Sequence, residues 1–146
     1  MNMIICTLEN LNLTSFSQID NILHKLSPSA PTVSFERLTQ LLKDADFKLF
    51  VAKDDKNIIV GMLTLTACQT ITRTKYWIED VIVDEAFRGM GIGRALLRAA
   101  VGYVKNQDRD SSIYLTSNPS RIAARALYQS EGFEEYKTGV FRIKQF

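Results

Sequence analysis

The sequence predicts an α/β (α+β) fold, a mixed, mostly antiparallel sheet of six to seven strands flanked by about four helices. Three observations predict it. Two stretches near the N-terminus carry apolar residues at helical spacing. The charged tetrapeptide DDKN (54–57) separates two β-rich runs, the pattern of a hairpin. In the second half, helix-like and strand-like stretches alternate, which implies one parallel pairing inside the sheet.

The elements follow in order. MIICTLE (3–9) reads as a short strand. SFSQIDNILHKL (15–26) aligns Phe16, Ile19, Ile22, Leu23 and Leu26 on one helix face, with Ser15 as the candidate N-cap. SPSAP (27–31) is a loop, and SFERLTQLLKDA (34–45) is a second amphipathic helix. Strands are expected over 47–55, 58–68 and 75–83, the last rich in aromatic and β-branched residues. A helix over 91–107 and a strand over 111–117 come next. NPSRIAARALYQSEGF (118–133) reads as a helix with Asn118 at the N-cap, Pro119 at N1 and Gly132 at the left-handed C-terminal position. Its expected core stripe is Ile122, Ala123, Ala126 and Leu127. One or two strands around the KTG turn close the chain. No repeat or linker interrupts the sequence, so residues 1–146 are expected to form one domain.

Bulk properties exclude several classes. The chain is 46% hydrophobic and 23% charged, typical of a globular protein. A formal charge of +2 gives no electrostatic case for nucleic acid. No apolar run approaches the roughly 18 residues of a membrane span, and no signal peptide is evident. Cys6, Cys68 and the single His24 are too few at metal spacing to hold a metal. Two cysteines without a pairing pattern point to a reducing compartment, the cytoplasm.

FRGMGIGRALL (87–97) puts three glycines into five positions ahead of a helix. Glycine weakens a helix by about 1 kcal/mol relative to alanine, so a reason is needed. The first N–H groups of a helix lack internal partners and carry the positive end of its dipole. Glycines after a strand leave those donors bare, which suits phosphate. The dinucleotide fingerprint fails, because a GxGxxG beginning at Gly89 meets Arg94 where glycine is required. The P-loop fails for want of the following lysine. What stands is Arg88-x-x-Gly91-x-Gly93.

IEDVIVDEAFRGMGIGRALL resembles the central motif of the GNAT superfamily of acyl-CoA-dependent N-acetyltransferases, [Q/R]-x-x-G-x-[G/A] after a strand. Arg88, Gly91 and Gly93 match it. NPSRIAARALYQSEGF resembles the later motif of that family through Asn118, Ala124, Leu127, Tyr128, Gly132 and Phe133. The resemblance covers roughly 47–146. It implies the GNAT fold, acetyl-CoA as co-substrate, and acyl transfer from a thioester to an amine. The turn Arg88, Gly89, Met90, Gly91, Ile92, Gly93 and Arg94 would then grip the pyrophosphate of coenzyme A. The backbone of Val81, Ile82 and Val83 would bond pantetheine, with Asn118 and Ala124 beside it.

The reaction sets the remaining roles. Tyr128 is the candidate acid for the leaving thiolate, its alternative being an amphipathic boundary residue. Glu79 and Asp80 are the carboxylates of an otherwise apolar strand stretch, and burying a carboxylate without a partner is costly. IEDVIVD resembles glucosamine-phosphate N-acetyltransferases, whose acidic pair sits at the acceptor site, so Glu79 is the first choice of base and Asp80 the second. Strand side chains alternate between faces, so aiming both at one site needs a β-bulge, which family members commonly carry. Glu79 lies four residues before Val83, about 13 Å at the strand rise, comparable to a pantetheine arm. Arg94, Arg121 and Arg125 are phosphate contacts or plain surface charge. A covalent route through Cys6 or Cys68 lacks an activating neighbour. The expected acceptor is the amine of a small cationic molecule. The alternatives are a protein or peptide amine, or a non-catalytic acyl-CoA-binding sensor. Family members often form homodimers.

Overall fold

The computed structural model describes residues 2–107 and 110–145. Five strands form one sheet in the order β1 (Ile4–Thr7), β2 (Phe47–Lys53), β3 (Ile59–Gln69), β4 (Thr74–Val83) and β5 (Ser112–Tyr114). The first four are antiparallel neighbours, and β4–β5 is the one parallel pair. Asp54 closes the β2–β3 hairpin: its Oδ1 accepts from Lys56 N at 2.9 Å and Ile58 N at 3.0 Å. Asn57 takes the left-handed conformation (φ 64°) that Asn tolerates better than most residues.

Helices α1 (Leu13–Leu26) and α2 (Phe35–Lys43) cover one face. Ile19, Ile22 and Leu38 pack there with Leu49, Val51, Ile59 and Met62. The N-cap of α1 is Asn12 rather than Ser15. Asn12 Oδ1 accepts from Ser15 N, and Ser15 Oγ accepts from Asn12 N. Ser15, the expected N-cap, is therefore the reciprocal N3 partner in a capping box, one turn inside the observed start.

Helix α3 (Ile92–Lys105) covers the other face through Ile92, Leu96, Leu97, Ala100 and Val104. Gly61 lets it close on β3. A Cβ there would lie 3.1 Å from Ile92 Cγ2 and 3.4 Å from Leu96 Cδ1. This contact holds the N-terminus of α3 against the sheet.

The described chain divides into two compact units, residues 1–116 and 117–146. The second holds α4 (Ile122–Ser130). Here the start of the expected helix moves by three residues, the N-cap passing from Asn118 to Arg121. Asn118 Oδ1 accepts from Ser120 N at 2.9 Å and Ser120 Oγ at 2.8 Å, a local turn that competes with helix capping. Arg121 holds the N-cap position, and Pro119 lies outside the helix. Gly132 takes the expected left-handed conformation, φ 96°. Ile122, Ala123 and Ala126 are exposed, contrary to the core stripe expected of them. The more buried face is Ala124, Leu127 and Tyr128, at i, i+3 and i+4.

The fold class stands, with five strands among the described residues in place of six to seven. Residues 134–145 form no ladder and are exposed throughout. Without a paired neighbour or a buried face, strand-like patterning there has nothing to stabilise it.

Candidate active site

The site begins where β4 breaks its register with β3. Thr64 pairs with Glu79 and Met62 pairs with Ile82, so Asp80 and Val81 together oppose Leu63. This is the β-bulge that the acidic pair needed. Asp80 adopts φ 50°, a left-handed conformation that Asp reaches more readily than most residues. The kink turns its carboxylate onto the face that Glu79 already occupies. Thr64, directly opposite Glu79, donates from Oγ1 to Asp80 Oδ2 at 3.0 Å. Thr64 is 5% exposed, whereas both carboxylates reach solvent.

Partial burial raises the Glu79 pKa above its ordinary value, and the charge of Asp80 raises it further. Thr64 is the site residue that reading the sequence missed. Its signal was its place opposite Glu79, which depends on a hairpin register that the bulge alters.

Past Trp77 the parallel partner ends. The β4–β5 ladder pairs Lys75 with Ser112, Tyr76 with Ile113 and Trp77 with Tyr114. Ile78 to Val83, including Val81, Ile82 and Val83, therefore run beyond the reach of β5. A strand edge of this kind offers backbone donors and acceptors to an extended ligand.

The strand then enters the glycine turn. Asp84 Oδ1 accepts from Ala86 N at 3.1 Å and caps a short 3-10 turn over Glu85–Phe87. Gly89 (φ 80°) and Gly91 (φ 78°) are left-handed, and a Cβ on either would meet nothing within 4 Å. Gly91 is the N-cap of α3, and no side chain caps that helix. Arg88, Met90 and Gly91 are exposed, Gly93 and Arg94 are half-buried, and Ile92 is packed under the turn. Bare helix donors in open space fit a phosphate group, so the turn and the open β4 edge suit the two ends of a pantetheine phosphate chain.

A cleft of about 460 Å³ opens beside this turn, lined in part by Lys25, Asp54, Asp84 and Phe87. Lys25 Nζ bonds Asp84 Oδ2 at 3.3 Å, and Asp54 is committed to the hairpin. Neither Glu79 nor Asp80 lines it, so it flanks the turn and leaves the reacting end elsewhere.

Asn118, Ala124 and Tyr128 belong to the second unit. Tyr128 is 6% exposed and packs edge-on against Phe133, ring centroids 6.3 Å apart. Its carbonyl accepts from Phe133 N at 3.0 Å. Arg125 pairs with Glu135 at 3.8 Å, and Arg121 is exposed. Cys6 and Cys68 are free thiols. His24 Nδ1 contacts the Asp20 carbonyl at 3.0 Å.

The sequence profile of the acetyltransferase (GNAT) family matches residues 12–133. The chain belongs to the GNAT family. GNAT acetyltransferases use acetyl-CoA, in line with the turn and strand edge just described. The chain is 28% identical to an N-alpha-acetyltransferase of Sulfurisphaera tokodaii over 138 residues, covering 89% of this chain and 81% of that protein. It is 30% identical to a spermine/spermidine N(1)-acetyltransferase of Bacillus subtilis over 60 residues, 41% of this chain and 40% of that protein. Apart from the Sulfurisphaera protein, the curated relatives are matched over less than two thirds of their length.

Among solved structures, an aminoglycoside acetyltransferase from an uncultured soil metagenomic sample, in complex with trehalose, superposes with a TM-score of 0.85 at 22% identity. That match covers 99% of this chain and 96% of the other. AAC(6')-Iy in complex with a CoA-containing bisubstrate analog gives 0.80 at 19% identity, with full coverage of both chains. These likenesses establish the fold. Among the described residues, no helix is long and apolar enough to cross a membrane.

Proposed function

We propose that this GNAT acetyltransferase moves an acetyl group from acetyl-CoA to a primary amine of a small cationic molecule, by direct attack in a ternary complex. The observation that carries this reading is the bulge at Asp80, which gathers Glu79, Asp80 and Thr64 on one sheet face. That face lies about 13 Å along the strand from Val83, where the glycine turn follows.

Acetyl-CoA supplies an activated thioester when bound. The chain's residues do the rest. An ammonium group is attracted by the two carboxylates. Glu79 takes its proton through a water, and the raised pKa brings this base closer to neutral pH. Asp80, held by Thr64, lies beside Glu79 at the acceptor. As the N–C bond forms and the C–S bond breaks, Tyr128 donates a proton to the departing sulfur and regains one when the acylated nitrogen sheds its second proton. Val81, Ile82 and Val83 orient the pantetheine arm from the open edge, and family resemblance adds Asn118 and Ala124 as cofactor contacts. Arg88, Gly89, Met90, Gly91, Ile92, Gly93 and Arg94 hold the phosphates. The family match from 12 to 133 spans both structural units, which supports one catalytic domain over residues 1–146. Two free thiols support a cytoplasmic setting.

The names of the Bacillus relative and the aminoglycoside acetyltransferases support a small polycationic acceptor. A second reading, a peptide N-terminus as acceptor, is favoured by the long match to the Sulfurisphaera protein. Thiol release from acetyl-CoA, measured against a panel of small amines and a panel of peptides, separates the two. Turnover on small amines is expected. Turnover on peptides alone would establish the second reading, and tight acetyl-CoA binding without turnover on either would make the chain a sensor.

A further inference from the structure

The sheet face that carries the carboxylates holds more than the base. On the α1–α2 side the apolar core reaches the Met62–Ile82 pair. The next pairs along that face are Thr64–Glu79 and Thr66–Trp77. The same face thus passes from packed aliphatics to hydroxyls, carboxylates and one indole. The reverse face stays apolar over the same stretch, with Leu63, Leu65, Tyr76 and Ile78 buried. Antiparallel sheets commonly leave one face to solvent, and here the polar stretch of that face carries the carboxylates and the indole together.

Trp77 is the single tryptophan of the sequence and is half-buried. It stacks on Tyr114, its partner across the β4–β5 pair, with centroids 5.1 Å apart and planes at 28°. Lys75 Nζ lies 5.5 Å from the centroid of the Tyr114 ring. The stack fixes the indole without burying it. Trp77 stands two residues before Glu79, so both project from one face about 7 Å apart along the strand. An indole face attracts organic ammonium groups, more strongly than other aromatic rings do.

We infer that Trp77 is a specificity-determining residue, and that with Glu79 and Asp80 it selects an acceptor bearing two ammonium groups about 7 Å apart, a short-chain diamine or polyamine. The reacting amine sits at the carboxylates and the second cation rests on the indole. This rests on the amine-acceptor reading above and names its substrate class.

The lone tryptophan makes the test direct. Wild-type protein is titrated with 1,4-diaminobutane and with butylamine at matched ionic strength, and its fluorescence is followed. A saturable change is expected at a diamine concentration at least about ten-fold below that needed for butylamine. In turnover, Trp77→Leu is expected to raise KM for the diamine about ten-fold, with kcat and the butylamine KM within about two-fold, and Trp77→Phe to retain most of the preference. Should the leucine variant not fold, the wild-type titration still decides. Equal responses to the two amines overturn the inference while leaving acetyl transfer intact. Selective diamine binding without acetylation supports the diamine site and refutes the transfer reading instead.

Discussion

Replacing Gly91 with alanine separates the cost of its backbone conformation from the loss of its ligand. Gly91 sits at φ 78°, and a residue with a Cβ pays about 1–2 kcal/mol there. A new Cβ would touch nothing within 4 Å, so no clash adds to that figure. Against a typical stability of about 5–15 kcal/mol the variant stays folded. Its Tm should fall by roughly 2–4 °C for each kcal/mol. Binding should lose more. The new methyl stands in front of the uncapped first turn of α3, and one charge-assisted hydrogen bond contributes about 1.5–3 kcal/mol. Displacing one such bond weakens acetyl-CoA binding about ten- to a hundred-fold. Titration calorimetry with acetyl-CoA and a thermal melt give both numbers. Gly132→Ala is the matched control, because Gly132 is equally left-handed and open but lies at the end of α4. A folded Gly91→Ala that binds within two-fold of wild type, or a Gly132→Ala that weakens binding equally, would refute the reasoning.

Other outcomes follow from the same geometry. Asp80→Asn keeps a side chain that tolerates the left-handed bulge and an oxygen for Thr64, so its Tm should stay close to wild type. Asp80→Ala loses both and should be about 1–2 kcal/mol less stable by denaturant titration. Either change removes the charge that helps raise the Glu79 pKa, so the acid limb of kcat/KM should move to lower pH; an unmoved limb would count against Glu79 as its source. Tyr128→Phe keeps the packing against Phe133 and removes only the hydroxyl, so kcat should fall about 100-fold with acetyl-CoA affinity unchanged. An unchanged kcat would return Tyr128 to a packing role. The hydrogen bond from His24 Nδ1 to the Asp20 carbonyl, and then the Asp20 charge, raise the His24 pKa above 6.5. The stability this contributes is present below pH 6.5 and lost as pH rises through the raised value. An NMR titration of this lone histidine should show a midpoint above 6.5 that falls in Asp20→Asn.

Local chemistry was readable from the sequence wherever a residue type acts within its own few neighbours. The DDKN hairpin was legible because Asp54 bonds the turn it starts, and the glycine turn because three glycines ahead of a helix leave its first donors bare; the left-handed conformation of Gly89 and Gly91 came with the structure. Asn118 shows the limit: the same side-chain oxygen that caps helices also closes a two-residue turn, and here the turn wins. The bulge at Asp80 was expected through family resemblance alone. A non-glycine residue in a left-handed conformation inside a strand has no sequence signal, and Thr64 was hidden with it. The closing strands failed for the opposite reason, since alternation over 134–145 carries no information about a partner to pair with.

Glu79 as the base is the claim most open to direct test, through kcat/KM against pH for wild type and Glu79→Gln at saturating acetyl-CoA. Burial and the Asp80 charge place the wild-type acid limb above the ordinary 4.5 of a glutamate. The protonated form is the one the fold favours, so a small stability contribution is present below 4.5 and lost as pH rises through the raised pKa. Glu79→Gln should lose that limb, fall about 100-fold or more in kcat/KM, and be no less stable than wild type at neutral pH. A glutamine variant that keeps both the rate and the limb would contradict the account.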